Sequence, residues 1–143
     1  MTFTIETKRG NQAKTIIKKL KIKNMFIAQW LDIKFGISCI ILTDNGIIKS
    51  FALISKMDFD PYKTQSRPHL INFIYTLPEY RNNNFGYEIL SYISKNIECT
   101  AVCNNDISIS LFERAGYKRM PYEYDNICPL YRNDVNGVKG VKG

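Results

Sequence analysis

The feature that most constrains the fold is a pair of apolar runs around a two-residue turn signal, in the stretch ISCIILTDNGIIKSFALISK. Asn45-Gly46 stands between the two runs. Both central positions of a type I′ turn need a positive φ, which asparagine and glycine tolerate best. The stretch therefore predicts two antiparallel strands joined as a hairpin, and a β-sheet is part of this protein.

Two other kinds of pattern complete the list of elements. Helical spacing of apolar residues runs from Gln12 to about Asp32, with a break near Lys23-Asn24 that predicts two helices. Further helices are predicted from about Asn84 to Lys95 and within NNDISISLFERAG, where Gly116 follows the helix end. Strand patterns occur in FTIETK, HLINFIYTL, IECTAVC, YKRMPYEY and ICPLYRN.

The order of these elements predicts the fold class. It is β-α-α-β-β-β-α-β-α-β-β, which is typical of an α/β protein with a mixed, largely antiparallel central sheet flanked by helices. HLINFIYTL is apolar on both faces and is expected to be a central strand. With 143 residues and no repeat or linker, we expect one domain over residues 1–133 and a disordered tail over 134–143.

Composition argues against several classes of protein. No apolar run approaches the roughly 18 residues that span a bilayer, and MTFTIETKRG has no apolar signal core, so we expect a cytoplasmic protein. The four cysteines form no C-x-x-C pair and there is one histidine, which argues against a metal site and favours buried, reduced thiols. The net charge of +7 suits an anionic ligand, an anionic partner or simple solubility.

The stretch TLPEYRNNNFGYEIL, from Thr76 to Leu90, places unusual polarity where a helix begins. A helix N-terminus presents unpaired N–H groups and a partial positive charge, which a phosphate group can accept. Gly86 allows close approach of the backbone, and Asn84 can take the left-handed conformation that glycine usually occupies. Arg81 adds a cation. A plain polar turn is the alternative interpretation.

This turn and its surroundings resemble the GNAT superfamily of N-acetyltransferases. That family carries an Arg/Gln-x-x-Gly-x-Gly/Ala turn after its fourth strand, where this chain has Arg81-Asn82-Asn83-Asn84-Phe85-Gly86. It also carries an asparagine further on, a tyrosine on the following helix and a Gly-Phe pair. Here the corresponding residues are Asn105, Phe112 and Gly116-Tyr117. The element order of the whole chain apart from the tail also fits the family.

The resemblance implies a ligand, acetyl-coenzyme A, which serves as co-substrate. It implies that the backbone of Ile74, Tyr75 and Thr76 pairs with the pantetheine arm and that Asn105 hydrogen-bonds the same arm. The pyrophosphate would be held by the turn, with Arg81 as its cation and the N–H groups of Asn82, Asn83, Asn84, Phe85, Gly86 and Tyr87 as donors.

The catalytic positions of the family are not filled in the usual way. The family's tyrosine acid corresponds to Phe112, and the carboxylate base of one branch corresponds to Thr100; neither side chain can do that work. His69, at the head of the fourth strand, is the remaining catalytic candidate. Asp58 and Asp60, in the loop before it, are weaker candidates. A water relay in place of a named base is an alternative.

Three functions therefore stay open. The first is an N-acetyltransferase that acts on a primary amine of a small molecule, a protein N-terminus or a lysine. The second is a GNAT-like module that binds coenzyme A without catalysis, which the empty acid and base positions favour. The third is a basic nucleic-acid-binding domain, which lacks a clustered basic face or motif. Exposed strand edges near the C-terminus could pair two copies into a homodimer.

Overall fold

A computed structural model describes residues 3–57, 69–103, 106–124 and 128–133, and only the backbone of 121–124 and 128–130. The described residues form seven strands, four α-helices and one short 3-10 helix in the predicted order, which is confirmed. They are β1 (Thr4–Arg9), α1 (Gly10–Leu20), α2 (Met25–Leu31), β2 (Ile37–Asp44), β3 (Ile47–Lys56), β4 (His69–Thr76), the 3-10 helix (Pro78–Tyr80), α3 (Phe85–Asn96), β5 (Cys99–Val102), α4 (Asp106–Arg114), β6 (Lys118–Tyr124) and β7 (Cys128–Arg132).

The seven described strands form one mixed sheet in the order β1-β2-β3-β4-β5-β7-β6. The pairs β1/β2, β2/β3, β5/β7 and β6/β7 are antiparallel, whereas β4 and β5 run parallel. β4 is the middle strand, and β7 inserts between β5 and β6. The predicted fold class, a largely antiparallel mixed sheet with flanking helices, is confirmed.

The β2–β3 hairpin turns at the predicted residues. Asn45 and Gly46 have φ values of 55° and 75°, the positive pair that a type I′ turn requires. Asp44 pairs with Ile47 directly across the turn. The predicted hairpin is therefore confirmed, together with the reason for its sequence.

The chain divides into two compact units. The first comprises Met1–Ser55 with Asn72–Ile89, and the second comprises Lys56–Ile71 with Leu90–Gly143. β4 and α3 each contribute residues to both units. The expectation of a single domain over 1–133 stays a prediction, and the expected tail over 134–143 lies outside the described residues, as do Asp58 and Asp60.

In the first unit, α1 and α2 cover one face of the sheet. Alternate residues of β2 and β3 point at these helices, and the buried cluster comprises Ala13, Ile17, Ile27, Trp30, Ile37, Cys39, Ile41, Phe51 and Leu53. The indole N–H of Trp30 donates to the Ile54 carbonyl at 3.1 Å, so the largest side chain of this cluster also has its polar atom satisfied.

The break between α1 and α2 falls where the sequence predicts it. α1 ends with Lys21 in the left-handed conformation, at a φ of 54°. Asn24 then caps α2, since its side-chain oxygen accepts hydrogen bonds from the N–H groups of Phe26 and Ile27 at 2.8 and 3.3 Å. An asparagine therefore starts the second helix by supplying an acceptor that the helix itself lacks.

In the second unit, the Asn133 side chain connects the end of α3 to the start of β5. Its oxygen accepts from the Cys99 N–H at 3.0 Å, and its nitrogen donates to the Ile97 carbonyl at 2.8 Å. The backbone N–H of Asn133 donates to the Cys99 carbonyl at 3.3 Å. One amide side chain thus supplies hydrogen-bond partners to backbone groups at the end of α3 and the start of β5.

Cys39, Cys99 and Cys103 are buried and form no disulfide, as expected for reduced core thiols. Burial raises the pKa of the Cys39 thiol to about 12, so this thiol stays protonated. No helix among the described residues is long and apolar enough to cross a membrane. Within the same residues, no three His, Cys, Asp or Glu side chains are grouped in a way that could hold a metal ion.

We expect Asn133→Ala to lower the free energy of unfolding by about 1–3 kcal/mol, because the Cys99 N–H and the Ile97 carbonyl lose their partner in a partly buried place. Urea denaturation measures the change. Asn96→Ala is the matched control, since the Asn96 side chain donates to the Tyr92 carbonyl at an exposed site. Equal losses in the two variants would contradict the proposed role of Asn133.

Candidate functional site

The second half of β4 keeps one edge outside the described strand pairing. Its pairing with β5 covers His69, Leu70 and Ile71. The Tyr75 carbonyl accepts from the Ser50 hydroxyl at 2.9 Å, and the Leu77 N–H donates to the Lys49 carbonyl at 3.0 Å, so both groups point at β3. Because successive residues of a strand send their N–H and C=O groups to opposite edges, those of Ile74 and Thr76 face away from β3.

The chain leaves β4 through a tight, asparagine-rich turn. The 3-10 helix Pro78–Tyr80 follows the strand, and the backbone then passes through Asn82 and Asn84 with φ values of 70° and 64°. The predicted left-handed conformation of Asn84 is confirmed. The left-handed conformation of Asn82 was not predicted, although asparagine is one of the few residues that tolerate a positive φ.

Helix α3 starts directly after this turn and presents backbone N–H groups there. The Glu88 N–H donates to the Asn84 carbonyl at 3.0 Å, which closes the first helical turn. The N–H groups of Phe85 and Gly86 lie within that turn, where an α-helix offers no carbonyl one turn earlier. Gly86 adds no side chain, and the Phe85 ring is buried at 3% exposure, edge-on to Phe3. The helix start can therefore receive an anion.

Side chains of the turn hold its carbonyl groups, which would otherwise repel an anion. The Asn83 side-chain nitrogen donates to the carbonyls of Tyr80 and Arg81 at 3.0 and 3.3 Å. The Arg81 Nε–H donates to the Thr76 carbonyl at 2.8 Å. The sequence analysis predicted that Arg81 serves a phosphate as a cation. It did not predict this hydrogen bond to the end of β4.

Cations and aromatic rings surround the turn. The Arg81 guanidinium lies 5.2 Å from the centre of the Tyr75 ring. The Lys49 ammonium lies 4.5 Å from the centre of the Tyr80 ring and 3.4 Å from an Asp44 carboxylate oxygen. Lys49 thereby connects the β2–β3 hairpin to the 3-10 helix, and Arg81 is held against the end of β4.

A row of stacked rings holds helix α2 against the same strand. Phe26 stacks on Phe73 with ring centres 5.6 Å apart, and Phe73 stacks on Tyr75 at 5.7 Å. Tyr75 also contacts the ring of Phe51 in β3 at 5.7 Å. The side chains of β4 on this face are thus fixed by packing, which limits movement of the strand beside the turn.

The candidate catalytic residues belong to the second unit. His69 begins β4, is half-buried, and its backbone N–H donates to the Glu98 carbonyl at 3.1 Å. Thr100 is buried at 6% exposure and pairs with Leu70 and Arg132 in the neighbouring strands. His69 and Thr100 are thereby brought to adjacent strands. Asn105 lies outside the described residues.

Phe112, at the position of the family's acid, is buried at 3% exposure. Its ring meets that of Tyr117 edge-on, with centres 5.1 Å apart. The Tyr117 hydroxyl donates to the Leu90 carbonyl at 3.1 Å. Burial, with the nearby Cys99 as a smaller cause, raises the pKa of Tyr117 well above its usual range. The Tyr117 hydroxyl is therefore a neutral, committed donor and does not replace the one that Phe112 lacks.

Comparison with solved structures identifies the fold. The chain superimposes on an acetyltransferase of the GNAT family from Desulfovibrio desulfuricans with a TM-score of 0.63, 11% identity and coverage of 94% of this chain and 99% of that one. The fold is that of the GNAT superfamily of N-acetyltransferases. The predicted resemblance is confirmed at the level of the fold.

Two further GNAT-fold structures contain coenzyme A. The PaiA N-acetyltransferase from Thermoplasma acidophilum matches with a TM-score of 0.59 and 14% identity, over 92% of this chain and 98% of that one. An aminoglycoside N-acetyltransferase matches with a TM-score of 0.60 and 15% identity, over 85% and 96%. No protein-family model and no curated protein sequence matches the chain.

We expect Tyr117→Phe to lower the free energy of unfolding by about 1 kcal/mol at pH 7, because the Leu90 carbonyl loses a donor. Folding disfavours ionisation of Tyr117, so the parent loses this stabilisation as the pH rises above the ordinary tyrosine pKa of about 10. The variant has no such hydroxyl, so the difference in the free energy of unfolding between the two proteins should become smaller above pH 10. Urea denaturation from pH 7 to 11 measures it; a constant difference would contradict the assignment.

Proposed function

We propose that this protein is an acetyl-CoA-dependent N-acetyltransferase that acetylates a primary amine of a small molecule, a protein N-terminus or a lysine. The observation that carries the proposal is the turn from Arg81 to Gly86. It combines two left-handed asparagines, carbonyls tied to side chains and a helix start without a side chain at Gly86. Three GNAT-fold structures whose proteins are described as acetyltransferases support it.

In this proposal the turn and the end of β4 hold most of the coenzyme. The N–H groups at the start of α3, together with those of Asn82, Asn83, Asn84 and Tyr87, bind the pyrophosphate, and the positive charge of Arg81 attracts it. Ile74 directs its N–H and C=O groups, and Thr76 its N–H, to the edge of β4 that faces away from β3, where an extended amide-bearing arm can add as a strand would. The Thr76 carbonyl on this edge already accepts from Arg81. The Tyr75 carbonyl is already bonded to Ser50 and contributes less. Asn105 is proposed to bind the same arm.

Bound acetyl-CoA supplies an acyl thioester that an amine can attack. The chain's own work is to hold the two reactants together and to receive a proton, since an amine with a pKa near 10.4 is mostly charged at neutral pH. His69 is proposed as an accessory proton acceptor at the head of β4. Water completes the transfer, because neither Phe112 nor Thr100 can act as an acid or a base.

A specific observation favours a second candidate, a module that binds coenzyme A without catalysis. Phe112 is buried and apolar where the family has a hydroxyl donor, and Tyr117 directs its own hydroxyl to Leu90. Release of free thiol from acetyl-CoA in the presence of a panel of amines separates the two candidates. Thiol release with at least one amine supports the enzyme, and binding without release supports the module.

We expect Gly86→Val to abolish coenzyme A binding while the protein stays folded, because a β-branched side chain would occupy the space that the pyrophosphate needs. Titration calorimetry measures the affinity, and circular dichroism confirms the fold. Ala28→Val is the control, since Ala28 is exposed in α2 and the change places the same β-branched side chain in another helix.

The same titration tests which part of the ligand the turn binds. Dephospho-coenzyme A should retain its affinity for the parent, because the turn is proposed to hold the pyrophosphate and not the 3′-phosphate. Unchanged coenzyme A affinity in a folded Gly86→Val variant would show that the coenzyme does not bind at this turn.

We expect Phe112→Tyr to match or exceed the parent in acetyl transfer, most visibly below the thiol pKa of about 8.5, where a proton donor helps thiol release most. General acid assistance is typically worth about 10² to 10⁴ in rate. Because Phe112 is buried, the added hydroxyl can cost about 1–3 kcal/mol of stability unless it finds a partner. Steady-state rates from pH 6 to 9, with a melting temperature for each protein, test the expectation.

Phe112→Leu is the matched control, since it keeps an apolar side chain without a hydroxyl. A tyrosine variant that is stable and yet slower than the parent at every pH would show that another residue is the donor. It would also show that the helix containing Phe112 is aligned incorrectly with the family.

A further inference from the structure

The Arg81 side chain is bonded within the turn at the atom nearest its stem. Its Nε–H donates to the Thr76 carbonyl at 2.8 Å and so closes the segment that contains the 3-10 helix. Its guanidinium lies over the ring of Tyr75, the residue before that carbonyl. Arg81 thus contacts the last two residues of β4 and itself begins the turn.

This bond determines which backbone groups the turn presents. A carbonyl oxygen carries partial negative charge, and the Thr76 carbonyl stands on the edge of β4 that faces away from β3. When the Nε–H donates to it, the partial negative charge of that oxygen is balanced by a hydrogen bond. The same bond fixes the distance from the end of β4 to the turn. Asn83 does the same for the carbonyls of Tyr80 and Arg81. The N–H groups of the turn are thereby held for an anion before any ligand arrives.

We propose that Arg81 is a positioning residue that holds the turn through its Nε–H donor, and that its positive charge is secondary. The proposal rests on the proposed function for its ligand, but it concerns the turn itself. It goes beyond the sequence-based expectation, in which Arg81 serves the phosphate as a cation.

Three substitutions at Arg81 separate the donor from the charge. Glutamine places an N–H donor the same number of bonds from Cα as the arginine Nε, without charge. Lysine keeps the charge but has a methylene group at that place, and methionine has neither charge nor donor. We expect Arg81→Gln to resemble the parent, and we expect Arg81→Lys and Arg81→Met to share the same defect.

The first measurement needs no ligand. Amide hydrogen exchange of Tyr80 and Glu88, whose N–H groups donate to the Leu77 and Asn84 carbonyls in this segment, is followed by NMR. It should be unchanged in Arg81→Gln and about 3- to 10-fold faster in Arg81→Lys and Arg81→Met, the size of one exposed hydrogen bond. Equal exchange in all four proteins would overturn the proposal. Faster exchange in Arg81→Gln with parent-like exchange in Arg81→Lys would overturn it in favour of the charge.

The second measurement uses the ligand. It distinguishes an effect of Arg81 on the turn alone from a disturbance of the whole end of β4. Calorimetric affinity for coenzyme A should fall about 3- to 10-fold in Arg81→Lys and Arg81→Met and stay within about 2-fold of the parent in Arg81→Gln. Acetyl transfer from S-acetylpantetheine, which lacks the pyrophosphate, should keep the same kcat/KM in all four proteins. An equal fall with both acetyl donors would overturn the proposal, since the whole strand end would then be disturbed.

The two measurements also distinguish this proposal from the proposed function. If the parent binds no coenzyme A while the exchange pattern is as expected, the proposed function fails and the role of Arg81 in the turn stands. If the parent binds coenzyme A and exchange at Tyr80 and Glu88 is the same in every variant, the function stands and the positioning role is wrong.

Discussion

The fixed end of β4 is the constraint on which the candidate site depends. Three neighbouring residues hold it. The Ser50 hydroxyl donates to the Tyr75 carbonyl and shares a hydrogen bond of 2.8 Å with the Thr76 hydroxyl. The Lys49 carbonyl accepts from the Leu77 N–H, and the Arg81 Nε–H donates to the Thr76 carbonyl. Ser50 is fully buried, so its two bonds form where water cannot replace them. A strand end held in this way determines where the turn begins and where helix α3 starts.

The turn is a short polar segment in which the proposed anion site needs no dense cluster of charges. Asparagine serves in two ways there, in the left-handed conformation at Asn82 and Asn84 and as a side-chain donor to carbonyls at Asn83. Arg81 likewise acts through a hydrogen bond and not only through its charge. Glutamine, which the resembled motif also admits at this position, carries the same donor atom. The net charge of +7 therefore says less about this site than the directions of a few N–H groups.

Much of the fold could be predicted because the signals were local. Asn45-Gly46 fixed the hairpin by its backbone preference, Lys23-Asn24 marked the break between α1 and α2, and alternation of apolar residues located the strands. The fold comparison confirms the GNAT resemblance that rested on the turn and on Gly116-Tyr117. The strand order could not be predicted from these signals, since the insertion of β7 between β5 and β6 depends on pairing between distant segments.

The sequence by itself determined the elements, their order and the left-handed conformations of Asn45, Gly46 and Asn84, because those follow from the preferences of single residues and from local periodicity. Only the tertiary structure decided what the polar side chains do. Arg81 is bonded to the Thr76 carbonyl, Asn133 joins α3 to β5, and the Tyr117 hydroxyl is committed to Leu90. The physical reason is that a hydrogen bond depends on distance and angle between atoms, which residue type and spacing along the chain do not specify.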